Sequence, residues 1–144
     1  MALFAAIVLC GCHNEGDSSM WSGTWYLERI TVDGSVEMSY KGNIFWKFQA
    51  DVIDMVETDD EMHERQDHYG TWSTSDGDRV LMLDFSHSSD RFPAGSPEYS
   101  PPGVTGLAAG VSHLDVARLT GSDMVVKWTD GESGTERTFV LKKQ

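Results

Sequence analysis

From Trp21 to the end of the chain, apolar residues recur in short alternating runs, and each run stops at a cluster of turn-forming residues. Gly23 to Val32 (GTWYLERITV) is rich in β-branched and aromatic residues and ends at Asp33-Gly34, a strong hairpin-turn pair. Val36 to Tyr40 is expected as a short return strand. Ile44 to Gln49 puts Ile44, Trp46 and Phe48 on one face and Lys47 and Gln49 on the other. Val52 to Val56 is a further apolar piece. Residues 57–68 (ETDDEMHERQDH) are expected as a solvated, charged hairpin end leading into Tyr69-Gly70-Thr71-Trp72. After the turn at Ser75-Asp76-Gly77-Asp78, Val80 to Phe85 (VLMLDF) reads as a buried strand. Leu114 to Leu119, Met124 to Thr129 and Thr135 to Lys142 complete the set, the last two separated by an Asp130-Gly131 turn.

Eight or nine short strands with tight turns and no sustained helix predict an all-β, antiparallel barrel or sandwich. Closure into a barrel removes exposed sheet edges and is the expected solution for one domain. Residues 107–119 also fit a helical spacing through Leu107, Val111, Leu114 and Arg118, so a short helix is the alternative there. Residues 86–112 break the strand rhythm. They hold all four prolines (Pro93, Pro97, Pro101, Pro102) among Ser and Gly, and a loop of this length reads as a lid or binding loop, or else as a decorative insertion.

Composition changes the picture at the N-terminus. Ala2 to Leu9 is an uncharged apolar run closed by Cys10-Gly11-Cys12, and both cysteines of the chain lie there. Small residues before a cysteine at the end of a short apolar run resemble the lipobox of bacterial lipoprotein precursors. The resemblance implies cleavage before Cys12, lipid attachment at Cys12, and a membrane-anchored protein of the bacterial envelope, with the outer membrane the expected location. The run is too short to span a bilayer. No Lys or Arg precedes it, so the charged n-region is missing or the start lies upstream. A buried first strand with two ordinary thiols is the competing reading. The expected division is a signal peptide over 1–11, a polar tether over 12–20 and one domain over 21–144. Glu15 and Asp17, just after the cysteine, resemble surface-export signals of some outer-membrane lipoproteins.

The formal net charge of −12 lies outside residues 1–11. It argues against nucleic acid as a partner and against electrostatic adhesion to anionic membranes, leaving acyl chains as the means of attachment.

A second resemblance rests on Trp21-Ser22-Gly23-Thr24-Trp25-Tyr26-Leu27, with its Gly-x-Trp at Gly23-Thr24-Trp25. The Tyr69-Gly70-Thr71-Trp72 step fits as well. So do the turn into a strand at Leu119-Thr120-Gly121-Ser122-Asp123-Met124-Val125-Val126 and the closing Thr138-Phe139-Val140-Leu141-Lys142. Over residues 21–142 the chain resembles the small lipocalin-like domains of bacterial lipoproteins. The Thr-Asp-Tyr motif of lipocalins is absent, so the likeness is to lipocalin-like domains rather than to lipocalins proper. It implies an up-and-down eight-stranded β-barrel, closed at one end by Trp25, with Arg137 as the arginine packed over that tryptophan.

An eight-stranded interior is just wide enough for packed side chains or for one small ligand. Trp25 is expected in the core. Trp46, Phe48, Trp72, Phe85 and Trp128 are the candidates for lining a pocket for a small apolar or amphipathic ligand, and their alternative is a filled core. With a filled core, the chain reads as a protein-interaction or inhibitory module whose long loop and 57–68 hairpin meet a protein partner. His63 and His68 are the candidate metal ligands, but nothing shows convergence of three or four donors and no metal is expected. Asp59-Asp60-Glu61 lacks the spacing of a calcium loop. No catalytic motif or cofactor signature occurs, and an enzyme is not expected. A serine–histidine pair from His87 or His113 with Ser86 or Ser112 has no support in the sequence.

Overall fold

The structure is a computed structural model that describes residues 20–144. The predicted signal peptide, Cys12 and all of the tether but Met20 lie outside the described residues. The strands are β1 (Gly23–Val32), β2 (Ser35–Val36), β3 (Ile44–Gln49), β4 (Val52–Asp59), β5 (Glu64–Ser75), β6 (Val80–Phe85), β7 (Gly110–Leu119), β8 (Asp123–Thr129) and β9 (Glu136–Lys143). Each strand from β3 to β9 pairs antiparallel with the next in the chain. β1 pairs with both β3 and β9 and closes an eight-stranded barrel, while β2 only appends a two-residue ladder to the top of β1.

Register defines two ends. The base carries the start of β1, the β3–β4, β5–β6 and β7–β8 turns and the end of β9; the mouth carries the other connections, including residues 86–109. Two bulges set the wall's parity. The shift between Leu27 and Arg29 lets Leu27 and Ile30, three residues apart, both face inward, and a second shift falls between Val116 and Arg118. Where no bulge intervenes, the inner rows follow strict alternation, as with Ile44, Trp46 and Phe48, or Leu81, Leu83 and Phe85. Gly70 leaves room for its neighbour: a Cβ there would stand 2.7 Å from the Asp84 carbonyl and 3.0 Å from the Phe85 ring.

Three local expectations change. The return strand predicted over Val36 to Tyr40 stops at Val36. Tyr40 instead turns toward the barrel, where its hydroxyl donates to the Leu27 carbonyl and accepts the Ile44 N–H at 3.1 Å. These groups lie where the β1–β3 ladder ends, so one phenol satisfies backbone atoms that a strand partner would otherwise take. Burial pushes that phenol up to about 12. The alternative helix over 107–119 is replaced by β7, because β6 and β8 both need a neighbour between them. The charged hairpin end over 57–68 forms as a β4–β5 hairpin with residues 59–65 exposed, but its last residue, His68, is buried rather than solvated.

Candidate functional site

The base is aromatic. Trp25 Nε1 donates to the Trp21 carbonyl at 2.9 Å, and Trp21 lies against Phe48 and Trp72 with ring centroids 5.7 and 5.8 Å away. Phe48 meets Trp72 edge-on at 5.1 Å. The cation over Trp25 is Lys143, 4.7 Å above the ring, and not Arg137 as expected. The β1–β9 register decides this: Trp25 stands opposite Lys143, whereas Arg137 is opposite Val32 at the far end. Lys143 Nζ also donates to the Ser22 carbonyl, and burial lowers its pKa.

The five pocket candidates all point toward the axis, at different heights. Phe48 and Trp72 belong to the base, Trp46 packs on Phe139 at 5.3 Å in the middle, and Phe85 and Trp128 approach the mouth. Trp46, Leu27, Ile30, Met55, Leu83, Val126 and Phe139 have no accessible surface, so side chains fill the middle of the barrel. Within this apolar interior, the indole N–H groups of Trp21, Trp46 and Trp72 are buried without an acceptor. An unmet buried donor costs about 1–3 kcal/mol, which makes these groups notable.

The mouth is polar and shut by the 86–109 loop. Pro101, Pro102, Thr105 and Leu107 are buried there, and Val104 packs against the core. Gly106 sits at φ +70°, and a Cβ on it would fall 2.2 Å from Arg137 Nε. Arg137 therefore faces the loop, opposite Trp128 across the β8–β9 ladder. The upstream half of the loop is held by His68. Its Nδ1 donates to the carbonyls of Pro97 (2.9 Å) and Ser100 (2.8 Å), which fixes the proton on that nitrogen, and Nε2 lies 3.3 Å from Glu57 Oε1. The space for this segment arises because β6 reaches β5 only from Thr71 downward, leaving the upper β5 edge to the single-turn 3-10 helix Pro97–Tyr99.

His63 and His68, the two candidate metal ligands, are not brought together: His63 is exposed in the turn at φ +52°, and His68 is spent on the loop. No group of three or more metal-ligating side chains gathers among the described residues. Nor does a hydrogen bond join His87 or His113 to Ser86 or Ser112 among them; His87 Nε2 contacts Thr71 Oγ1 at 3.1 Å, and Ser86 Oγ donates to Asp84.

Sequence reasoning missed a carboxyl pair on the outer wall. Asp54 is pushed up to about 7 by burial and by the adjacent Asp67, whose own pKa is held down by its hydrogen bond to Asp54 and by Arg65. The two behave as one site sharing a proton. Its sequence signal, acidic residues thirteen apart, has meaning only once the β4–β5 register is known.

Three surface clefts border the barrel, and neither Trp46 nor Phe139 lines any of them. One of about 290 Å³ lies at the mouth beside Lys41, Asn43, Glu57 and Arg65. Another of about 290 Å³ lies at the base around Gly23 and Phe48. The third, about 400 Å³, lies on the outer wall between Tyr69 and Tyr99.

This architecture has known counterparts. A lipocalin-like protein from Bacteroides uniformis superposes with a TM-score of 0.58 at 16% identity, covering 87% of this chain and 99% of that one. An uncharacterized protein from Bacteroides eggerthii superposes with a TM-score of 0.61 at 21% identity, over 86% of this chain and 99% of that one. Lobster apocrustacyanin A1 gives 0.53 at 10% identity, over 92% of this chain and 66% of that one. Among curated protein sequences there is no significant match. The family model described as a lipocalin-like domain matches residues 7–132, most of the chain and seven of the eight barrel strands. The closed barrel and this match give the same assignment: the chain belongs to the lipocalin-like domain family.

Proposed function

We propose that this protein is a lipid-anchored barrel of the bacterial envelope, attached through Cys12 at the outer membrane, that binds a small apolar or amphipathic molecule at its mouth. The supporting observation is how the mouth is closed. Thr105 and Leu107 of a glycine- and proline-rich loop are buried on either side of Gly106, which abuts Arg137, the β9 partner of Trp128; a guest in their place would have an apolar floor and a rim of Glu57, Gln66, His68 and Arg137. The loop is a removable occupant, and a guest would take its place. The polar rim favours a guest with a hydrogen-bonding end over a pure hydrocarbon.

The test uses N-phenyl-1-naphthylamine as the probe, with fatty acids as competitors. Gly106→Ala, which drives the loop off Arg137, is expected to raise probe binding over the parent chain. Absence of probe binding to both proteins, together with native mass spectra free of co-purified small molecules, would sink this reading. Radiolabelled palmitate incorporation that is lost in Cys12→Ser tests the anchor separately.

A filled middle supports a second reading, a protein-interaction or inhibitory accessory module. Crosslinking in envelopes, with and without residues 88–110, separates the two: a protein partner that depends on the loop favours the module.

A further inference from the structure

We propose that the outer-wall groove between β5 and the long loop is a second binding site, separate from the mouth, and that it takes a neutral saccharide. Its lining is Val52, Tyr69, Gly70, Thr71, His87, Ser88 and Tyr99 around about 400 Å³, a volume within the range of small-molecule sites. In a chain with 23 acidic and 11 basic residues, this lining contains no Asp, Glu, Lys or Arg. A charged ligand would find no counter-ion in the lining itself, and an anion would meet Asp84, 4.0 Å from His87, at its edge. A hydrocarbon would meet two phenols, two hydroxyls and an imidazole. Rigid rings with polar edges, interspersed with short hydroxyl side chains, suit a molecule with apolar C–H faces and a hydroxyl perimeter.

The groove is prepared in advance. Tyr69 is 40% exposed on the outward face of β5, while its chain neighbour His68 points inward and holds the carbonyls of Pro97 and Ser100. Those carbonyls flank Tyr99, whose ring is further steadied by Phe92 edge-on at 6.3 Å. Thr71 and His87 already contact each other at 3.1 Å, so the polar wall is ordered too. At Tyr99, Thr71 and His87 part of the side-chain freedom is therefore already spent before binding. A peptide adding to the sheet is disfavoured, because the upper β5 edge is already covered by Pro97–Tyr99.

The experiment titrates the ¹⁵N-labelled full chain with maltose, cellobiose and N,N′-diacetylchitobiose at millimolar concentration, with trialanine as the peptide control. At least one sugar is expected to give saturable shifts at the Tyr69, Thr71 and Ser88 amides while the Trp46 and Trp128 indole signals stay still. Tyr99→Ala and, independently, the exposed Tyr69→Ala should each weaken that binding by up to about tenfold. The proposal is overturned by any of three results: silence with all three sugars, affinity unchanged in both variants, or saturation by trialanine alone. Shifts at the Trp46 or Trp128 indoles instead of the groove would assign the sugar to the mouth and equally overturn this site.

Discussion

The two ends of the barrel are built from different chemistry. At the base, Trp21, Trp25, Phe48 and Trp72 pack ring against ring, and short turns join the strands. At the mouth, Glu57, Gln66, His68 and Arg137 face inward, and closure falls to a long loop held by His68 at its upstream half and by the buried Thr105 and Leu107 further on. Ring packing is non-directional and adds up over area, so the base is expected to open only with the whole fold. The loop's hold is two histidine hydrogen bonds and a few buried side chains, a smaller and more local set, so it is expected to open at lower cost than the barrel. One chain thus carries two seals of different construction, and the difference can be tested.

The largest effect should come from the middle, where both ends share a core. Trp46→Ala removes a ring with no accessible surface and is expected to cost about 3–5 kcal/mol, read as a lowered urea midpoint for the entire barrel. A loss confined to one end would break the distinction. His68→Ala should cost about 1–2 kcal/mol, concentrated in the loop. Hydrogen exchange should speed up at residues 97–107 far more than in β1 or β9. Uniform acceleration would mean that the mouth unfolds only globally.

Asp54→Asn sharpens the picture on the outer wall. Because the folded pKa of Asp54 is raised to about 7, its protonated form adds stability that is complete below the unfolded carboxyl range and is lost as pH rises through 7. Asp67, held low, acts in the opposite sense and reduces the net effect. The parent chain should therefore lose on the order of 1 kcal/mol between pH 4 and 8 from this site, and Asp54→Asn should flatten that slope in denaturant titrations. Lys143→Met is the smallest change. Loss of the cation over Trp25 should cost about 0.5–1 kcal/mol, seen in melting temperature, whereas Arg137→Met should leave Trp25 fluorescence unmoved.

Much of this molecule was legible in the sequence because strand alternation is a local property. Ile44, Trp46 and Phe48 announced their face within six residues, and Asp33-Gly34 announced its turn. Whatever depended on register did not announce itself. Arg137 and Lys143 lie on the same strand six residues apart, and only the pairing with β1 determines which one covers Trp25. The bulge at Glu28 shifts the inner row by one residue, and no residue type there signals it. His68 read as a solvated ligand candidate because its partners, the Pro97 and Ser100 carbonyls, are backbone atoms 29 and 32 residues away. The loop's proline content gave its length and irregularity but not that Thr105 and Leu107 fold back into the mouth.

Lys143 ties the last strand to the Ser22 carbonyl, so both ends of the described chain lie side by side at the base. Any leash reaching residue 20 from an upstream attachment point would therefore pull on the sealed pole. A tag fused after Gln144 would sit beside the base, while one inserted at the Asp59–Glu64 turn would project beside the aperture at the opposite end.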